Sequence, residues 1–282
     1  MGDVSNMGDI NNINYHLLNQ MYADEVYEEL IKECLQLLSE DINEYSKSEI
    51  QKILVKAYMG ISDFQTALYY NDMVFKRVLE VHTIDDLALI HYNYTNIYVR
   101  LKKYKIAMHN LKKSMLYYEE LENYERIGVS FNSMGIIYEY REDLEQSKEC
   151  FKKALEYEPY LKDFSLYVIL LNICNIEVSK GNYEDVLRTL NHMRVPIEKI
   201  GHLRLMSYMY RIYALTYYGI GEYEQTKNFY YLANRYVSYL KNIHEEIEGY
   251  KRLLLIAKQR NNPQHVDSIQ TFMINTGIIE DV

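Results

Sequence analysis

The chain has 282 residues, 48% of them hydrophobic, and a formal net charge of −9 at pH 7. A phosphate-binding face needs an excess of basic side chains, so this balance argues against nucleic acid as a direct partner. No apolar run approaches the ~18 residues of a membrane span, and the acidic start MGDVSNMGDI is unlike a secretory signal. We therefore predict a cytoplasmic protein that contacts neither nucleic acid nor membrane.

Few residues in the chain break helices, since it contains only three prolines and eleven glycines. Cys34, Cys150 and Cys174 are far apart and each lies in a helical pattern, which predicts buried free thiols and a reducing compartment. Together these features predict the all-α class.

The N-terminal part divides into two predicted segments. Residues 1–12 are rich in Asn and Asp and are predicted to be a disordered tail. Residues 13–47 form the second segment, and within it residues 13–39 carry helical apolar positions such as Leu17, Leu30 and Leu38, in one long helix or two short ones. We expect them to cap the first open face of the repeats that follow.

The clearest motif is a predicted helical hairpin between Gly128 and Tyr160. Apolar or small residues follow helical spacing in both of its helices, at Phe131, Met134, Gly135 and Tyr138 and then at Leu144, Ser147, Phe151 and Ala154. Asp143 is placed to cap the second helix, and Pro159 to end it. Gly135 and Ser147 are small where the two helix axes are expected to come close.

The hairpin recurs along the chain with a period of 39 or 40 residues. Counterparts of Leu144, the first apolar residue of the second helix, are Phe64, Tyr104, Tyr183, Tyr223 and Pro263. The repeat domain, 48–282, therefore contains six repeats, at 48–87, 88–127, 128–166, 167–206, 207–246 and 247–282. We call the two helices of each repeat helix A and helix B. In the fourth repeat, Pro196 predicts that helix B ends by about Val195.

This unit resembles the tetratricopeptide repeat (TPR), which has a small pair between its helices, a Tyr in helix A, a Phe and an Ala in helix B and a closing Pro. Phe131 stands where the family has Trp, and Ser147 where it has Ala. The resemblance implies a right-handed superhelical solenoid of about six hairpins. The period is longer than the usual TPR of about 34 residues.

Asparagines recur in the predicted A helices, where their weak helix propensity calls for another reason. Their amides both donate and accept, as an extended peptide backbone does. The side chains expected to bind a peptide on the concave side are Lys52, Lys56, Tyr92, Asn93, Asn96, Asn132, Asn172, Asn175, Tyr208, Arg211 and Lys251. The sequence equally allows these to be ordinary solvated residues or residues bonded between helices.

The asparagines and the long period also resemble the TPR domains of Gram-positive peptide-pheromone receptors, the RRNPP group with its Rap, NprR and PlcR types. The resemblance implies quorum sensing, signalling or transcription regulation, with a short peptide in the groove and a response regulator or a DNA-binding protein as partner. Residues 1–47 are too short and too acidic for the helix-turn-helix of the DNA-reading members.

No catalytic signature accompanies the repeats. The eight histidines are scattered without metal-ligand spacing, and the phosphate-loop, dinucleotide and nucleophile-elbow motifs are missing. We predict no catalytic residue, no metal and no cofactor.

The predicted function is thus a non-catalytic peptide-binding regulatory module that relays binding through a change in superhelix shape or association. Two alternatives remain at this point. One is a scaffold or adaptor that binds protein partners without a small-peptide ligand. The other is a Rap-like regulator of a phosphorylated response regulator. The apolar C-terminus, with Ile274, Ile278 and Ile279, is expected either to dock back on the solenoid or to form a homodimer through the terminal repeats.

Overall fold

A computed structural model describes residues 13–81 and 83–237, together with isolated positions between 254 and 274. Within these residues all regular structure is helical, with no β-strand, which confirms the predicted all-α class. The predicted tail, 1–12, lies outside the described residues. So do most of the predicted sixth repeat and the candidate residue Lys251.

Two short helices precede five hairpins. The helices are α1 (Tyr15–Ala23), α2 (Tyr27–Ser39), α3 (Glu44–Gly60), α4 (Phe64–Val81), α5 (Ile84–Arg100), α6 (Tyr104–Glu120), α7 (Tyr124–Tyr140), α8 (Leu144–Leu155), α9 (Asp163–Lys180), α10 (Tyr183–Ile200), α11 (Leu203–Ile220) and α12 (Tyr223–Val237). The A helices are α3, α5, α7, α9 and α11, and the B helices are α4, α6, α8, α10 and α12. Each of these B helices begins at its predicted marker residue. Each A helix begins four residues before the start predicted for its repeat, for example at residue 44 rather than 48.

Short polar side chains start several of these helices. A side-chain oxygen of Asn43, Asp63, Asn123 or Asp143 accepts a hydrogen bond from the backbone N–H three residues later, at 2.8–3.1 Å. Such a cap contributes about 1 kcal/mol, because it satisfies an N–H that has no partner within the helix. The predicted cap at Asp143 is confirmed.

The turn from helix A to helix B has the same backbone conformation in all five hairpins. The residue two positions before each B helix has a positive φ: Ser62 (63°), Lys102 (58°), Glu142 (66°), Gly181 (83°) and Gly221 (91°). This left-handed conformation ends helix A and reverses the chain within three residues or fewer. Two hairpins place glycine there and three place a residue that carries a Cβ.

The predicted close approach of α7 and α8 is confirmed at Gly135 and Ser147. Ser147 is fully buried, and a Cβ added to Gly135 would lie 2.4 Å from the ring of Phe151. The Phe151 ring therefore occupies the space that any larger residue at position 135 would need. After Leu155 the chain forms a 3-10 turn at Glu158–Tyr160, so α8 ends four residues before Pro159.

The prediction that helix B of the fourth repeat ends by Val195 is wrong. α10 continues through Pro196 to Ile200, and Gly201 with φ 71° ends it. Pro196 costs the helix one backbone hydrogen bond. The fully buried side chain of Ile197 packs in the core beside α10 and α11, so burial of the last turn offsets that loss.

The chain divides into two compact units, residues 1–117 and 118–282. A cluster of buried side chains from α1, α2 and α3, including Leu30, Cys34 and Leu54, forms the first part of the core of unit 1. In unit 2 the largest cluster joins α9, α10, α11 and α12, and its centre is the Tyr213 ring stacked on Phe229 at 4.6 Å.

All three cysteines are free and buried, as predicted. Burial raises the pKa of the Cys34 and Cys174 thiols to about 12 and the pKa of the Cys150 thiol to about 11. They therefore pack as protonated apolar groups. Among the described helices, none combines the length and the apolar character needed to cross a membrane.

Candidate functional site: polar rows on the A helices

In unit 2, polar side chains of three consecutive A helices form one hydrogen-bonded row. Asn172 of α9 donates from its amide nitrogen to Oδ1 of Asn132 on α7, at 2.8 Å. The hydroxyl of Tyr208 on α11 donates to Oδ1 of Asn172, at 2.9 Å. Asn172 is only 1% exposed and Asn132 is 9% exposed. The sequence prediction thus selected three residues that lie together, and their two amides and one phenol hydroxyl bond to one another.

A buried cation lies at the α11 end of this row. The guanidinium carbon of Arg211 lies 4.9 Å from the centre of the Tyr208 ring, and Arg211 is only 3% exposed. A cation–π contact is stronger in such a desolvated place than on an exposed surface. The candidate Asn175, on the same helix as Asn172, is 3% exposed.

In unit 1 the candidate Asn93 bonds across a helix pair. Its amide nitrogen donates to Oδ1 of Asn71 on α4, at 3.3 Å, and Asn71 in turn donates to the carbonyl oxygen of Ile90 at 3.2 Å. Both asparagines are buried, at 6% and 1% exposure. This arrangement fixes α5 against α4.

The candidate Lys52 forms ion pairs within unit 1. Its Nζ lies 2.7 Å from Glu49 on the same helix and also contacts Asp86 of α5. Burial lowers the pKa of the Lys52 ammonium, and its hydrogen bonds to Asp86 and Glu49 together raise that pKa by more, so the net shift is upward. Lys52 therefore stays charged and joins α3 to α5.

Three further candidates in unit 1 keep part of their surface accessible. Lys56 of α3, and Tyr92 and Asn96 of α5, are half-buried. Tyr208 is the half-buried member of the row in unit 2. Together with Lys52, which is partly exposed but engaged in ion pairs, these are the described candidates with surface that a ligand can contact without first opening the helix packing.

Sequence reasoning missed two interhelical contacts that hold the hairpins. One is the contact of Asn71, a buried amide on a B helix. The sequence signal that could have predicted its burial was its position among apolar residues. The other is Glu177, which stands where the other four described A helices have Tyr. Glu177 pairs with Lys148 of α8 and accepts a hydrogen bond from Asn182. Burial raises the pKa of the Glu177 carboxyl, but its hydrogen bonds to Lys148 and Asn182 lower that pKa by more. The net pKa is therefore below the usual value of a glutamate side chain.

His91 belongs to the core of unit 1. It is 5% exposed, its Nδ1 lies 2.8 Å from Oδ1 of Asn110, and its ring stacks on Tyr117 at 5.9 Å. Gln20, an amide near the N-terminus, donates to Asp24 in an exposed position at 3.0 Å. Across residues 13–81 and 83–237, no cluster of three or more His, Cys, Asp or Glu side chains has the geometry to hold a metal ion.

No protein-family model matches the chain, and no curated protein matches it. Among solved structures, it is similar to a Signal Transduction ATPase with Numerous Domains (STAND) protein with a tetratricopeptide repeat sensor, from Pyrococcus horikoshii. The identity is 15%, the TM-score is 0.60, and the match covers 93% of this chain and 41% of that one. The chain thus spans less than half the length of that protein.

A second similar structure is the C-terminal part of a TPR repeat-containing protein from Cytophaga hutchinsonii. It shows 13% identity, covers 83% of this chain and 98% of that chain, and has a TM-score of 0.35, too low to support an argument. The likeness to the archaeal protein confirms the TPR-like helical repeat. The resemblance to the RRNPP receptors stays a prediction. This chain has the fold of a TPR-like helical-repeat protein.

Proposed function

We propose that this chain is a non-catalytic, cytoplasmic protein-binding module that holds a short extended segment of a partner against its A helices. The observation that supports the proposal is the row from Asn132 through Asn172 to Tyr208, which joins three consecutive A helices. Stacked hairpins bind partners on extended surfaces, because each repeat presents the same helix face; the row aligns these faces from α7 to α11. The similar archaeal protein carries its repeats as a sensor, which is the role we propose here.

In this proposal the accessible and the buried candidates have different tasks. On unit 2 the ligand contacts Tyr208, which is half-buried. On unit 1, taken by itself, the half-buried residues Lys56, Tyr92 and Asn96 offer the accessible surface. The buried asparagines hold neighbouring helices in position. When a peptide carbonyl oxygen accepts the hydrogen bond of the Tyr208 hydroxyl, that hydroxyl no longer donates to Asn172. α11 is then free to shift relative to α9. That shift relays binding to the effector partner.

Under the RRNPP resemblance, the first ligands to test are short peptide pheromones, and the effector is a response regulator or a DNA-binding protein. The purified chain is presented with a displayed library of random peptides of about five to ten residues, and selected peptides are titrated by calorimetry. Tyr208→Phe removes only the hydroxyl, so we expect an affinity change of roughly two- to tenfold. Tyr69→Phe, on α4 and 58% exposed, is the matched control and should change nothing.

Two results would contradict this function. The first would be a selection on this chain that enriches no sequence beyond those enriched on an unrelated helical protein. The second would be selected peptides that bind the Tyr208→Phe and Asn96→Ala variants as tightly as the original chain. The second result moves the ligand away from the A helices.

A scaffold that uses the B helices is the second candidate. Large apolar side chains are exposed there, namely Leu116 (64%), Val195 (70%) and Tyr231 (70%). Exposed apolar surface of this kind commonly marks a protein contact. An identified protein partner whose affinity falls with Val195→Asp, yet is unchanged by Tyr208→Phe, favours the scaffold.

A further inference from the structure

Exposed aromatic rings line the edge of unit 2 where the chain passes from a B helix to the next A helix. Tyr124 is the first residue of α7, Tyr160 is the last residue of the 3-10 turn, Phe164 is the second residue of α9, and His202 precedes α11. Ring centres lie 4.8 Å apart in the pair Tyr124–Tyr160 and 4.6 Å apart in the pair Phe164–His202. We call these four residues the aromatic edge.

The rings of the aromatic edge are accessible although they contact each other. Tyr124 is 40% exposed, Tyr160 54% and Phe164 42%, and His202 is also exposed. Paired rings restrict each other's rotamers, so a ligand that stacks on them orders little further. A pre-ordered aromatic surface of this size favours a partner that uses ring faces.

The surroundings of the aromatic edge are acidic on balance. Residues 118–126, 156–164 and 198–206 together carry eight acidic and four basic side chains, which leaves four negative charges on 27 residues. One of the basic side chains, Lys162, is paired with Glu125 at 3.3 Å. α6 and α8 end at these loops, and α7 and α9 begin there, so the negative and positive ends of the helix dipoles offset each other. The side-chain charges therefore determine the sign of the local electrostatic potential.

We propose that the aromatic edge binds an arginine-bearing segment of a partner protein. A guanidinium stacks on an aromatic face while its N–H groups pair with nearby carboxylates, and arginine does both better than lysine. An acidic segment would be repelled by the negative charge. A purely apolar segment would displace the water that hydrates the exposed carboxylates of Glu158 and Asp163 and would offer them no hydrogen bond in return. The chain itself packs guanidinium groups over tyrosine rings, at Tyr208 and at Tyr210.

The test uses a defined probe rather than an unidentified partner. A fluorescein-labelled peptide of alternating arginine and glycine is titrated with the full chain and followed by anisotropy. Two control peptides of the same length serve as twins of this probe. One replaces each arginine by citrulline, which keeps the shape of the side chain and removes its charge, and the other replaces each arginine by lysine. We expect the arginine peptide to bind most tightly, and the citrulline peptide to bind at least about tenfold more weakly, because charge and stacking act together.

Variants then locate the binding. Tyr160→Leu and Phe164→Leu keep an apolar side chain at exposed positions and remove the aromatic face. Each should weaken the arginine peptide by about two- to fivefold, and the double variant by about tenfold. Tyr231→Leu, at a 70% exposed tyrosine on α12, is the control and should leave the affinity unchanged. Tyr208→Phe should also leave it unchanged, which separates this surface from the one in the proposed function.

Three results overturn the inference. The citrulline or lysine twin binds as tightly as the arginine peptide, the double leucine variant binds it with undiminished affinity, or the full chain does not bind it at all.

Discussion

His91 is an ionisable residue held neutral in the core of unit 1. Burial lowers the pKa of its imidazole, and the positive charges of Lys113 and His109 lower that pKa further, while the bond to Asn110 partly opposes both. The folded chain therefore binds fewer protons at this site than the unfolded chain. Stability from this site is present above the ordinary histidine pKa of ~6.5 and is lost as the pH falls through it.

We predict that the free energy of unfolding falls between about pH 7.5 and pH 5.5, and that His91 accounts for part of this fall. Urea unfolding at both pH values measures it. His91→Gln should lose this part of the pH dependence, because no group then becomes charged in the core. His192→Gln, at an exposed position of α10, should keep it. Equal pH dependence in the chain and in His91→Gln would assign the effect to other groups.

Asn172 is the residue that joins the row in unit 2, since it bonds to both of its neighbours. We predict that Asn172→Ala lowers the free energy of unfolding by about 1–3 kcal/mol, because buried Asn132 then loses its partner. Tyr208→Phe should cost about 1 kcal/mol alone and much less in the Asn172→Ala background. A double-mutant cycle by urea unfolding measures the coupling, and additive losses would show that the Tyr208–Asn172 bond contributes nothing.

The A–B turns form one comparable set of elements, because the same position has a positive φ in every described hairpin. Gly181 has open space around its missing side chain, with no atom within 4 Å of an added Cβ. Gly181→Ala should nevertheless cost about 1 kcal/mol, since alanine is strained in this conformation.

The reverse substitution should stabilise the chain. Glu142 has a φ of 66°, so Glu142→Gly removes strain of roughly 1–2 kcal/mol but adds about 0.5–1 kcal/mol of unfolded-state entropy. Thermal unfolding should show a small gain for Glu142→Gly and a loss for Gly181→Ala. A loss in both would mean that the Glu142 side chain contributes more than its backbone strain costs.

At the scale of elements, the sequence predicted where B helices begin because the first apolar residue follows a turn of only two or three residues. It predicted the end of α10 wrongly, because the burial of Ile197 is a tertiary effect that a local rule about Pro196 does not contain. For the site, helix spacing selected Asn132 and Asn172 as neighbours. It did not reveal that Tyr208 completes their bonding, since that depends on the distance between helices α9 and α11.

At the scale of the whole molecule, stacked repeats transmit a disturbance mainly to their nearest neighbours. Tyr213 is 1% exposed and donates a hydrogen bond to Asn191 at 2.8 Å. Tyr213→Ala should cost about 3–5 kcal/mol locally, by analogy with other large-to-small changes at buried rings.

We predict a graded result in hydrogen–deuterium exchange. Amides of α9 to α12 should exchange at least about tenfold faster in Tyr213→Ala, while amides of α2 and α3 change little. The conservative variant Tyr213→Phe, which keeps the ring, serves as the control. Uniformly faster exchange along the chain would instead indicate one cooperative folding unit.

The bonds from Asn132 through Asn172 to Tyr208 join neutral groups, two amides and a phenol. Dissolved ions weaken charge pairs such as Lys148 with Glu177, which are part-exposed, but they act little on hydrogen bonds between neutral groups. α7, α9 and α11 should therefore keep their spacing in dilute buffer and in concentrated potassium chloride. In a cell that loses water, so that its salt concentration rises, these three helices would keep the same register against one another.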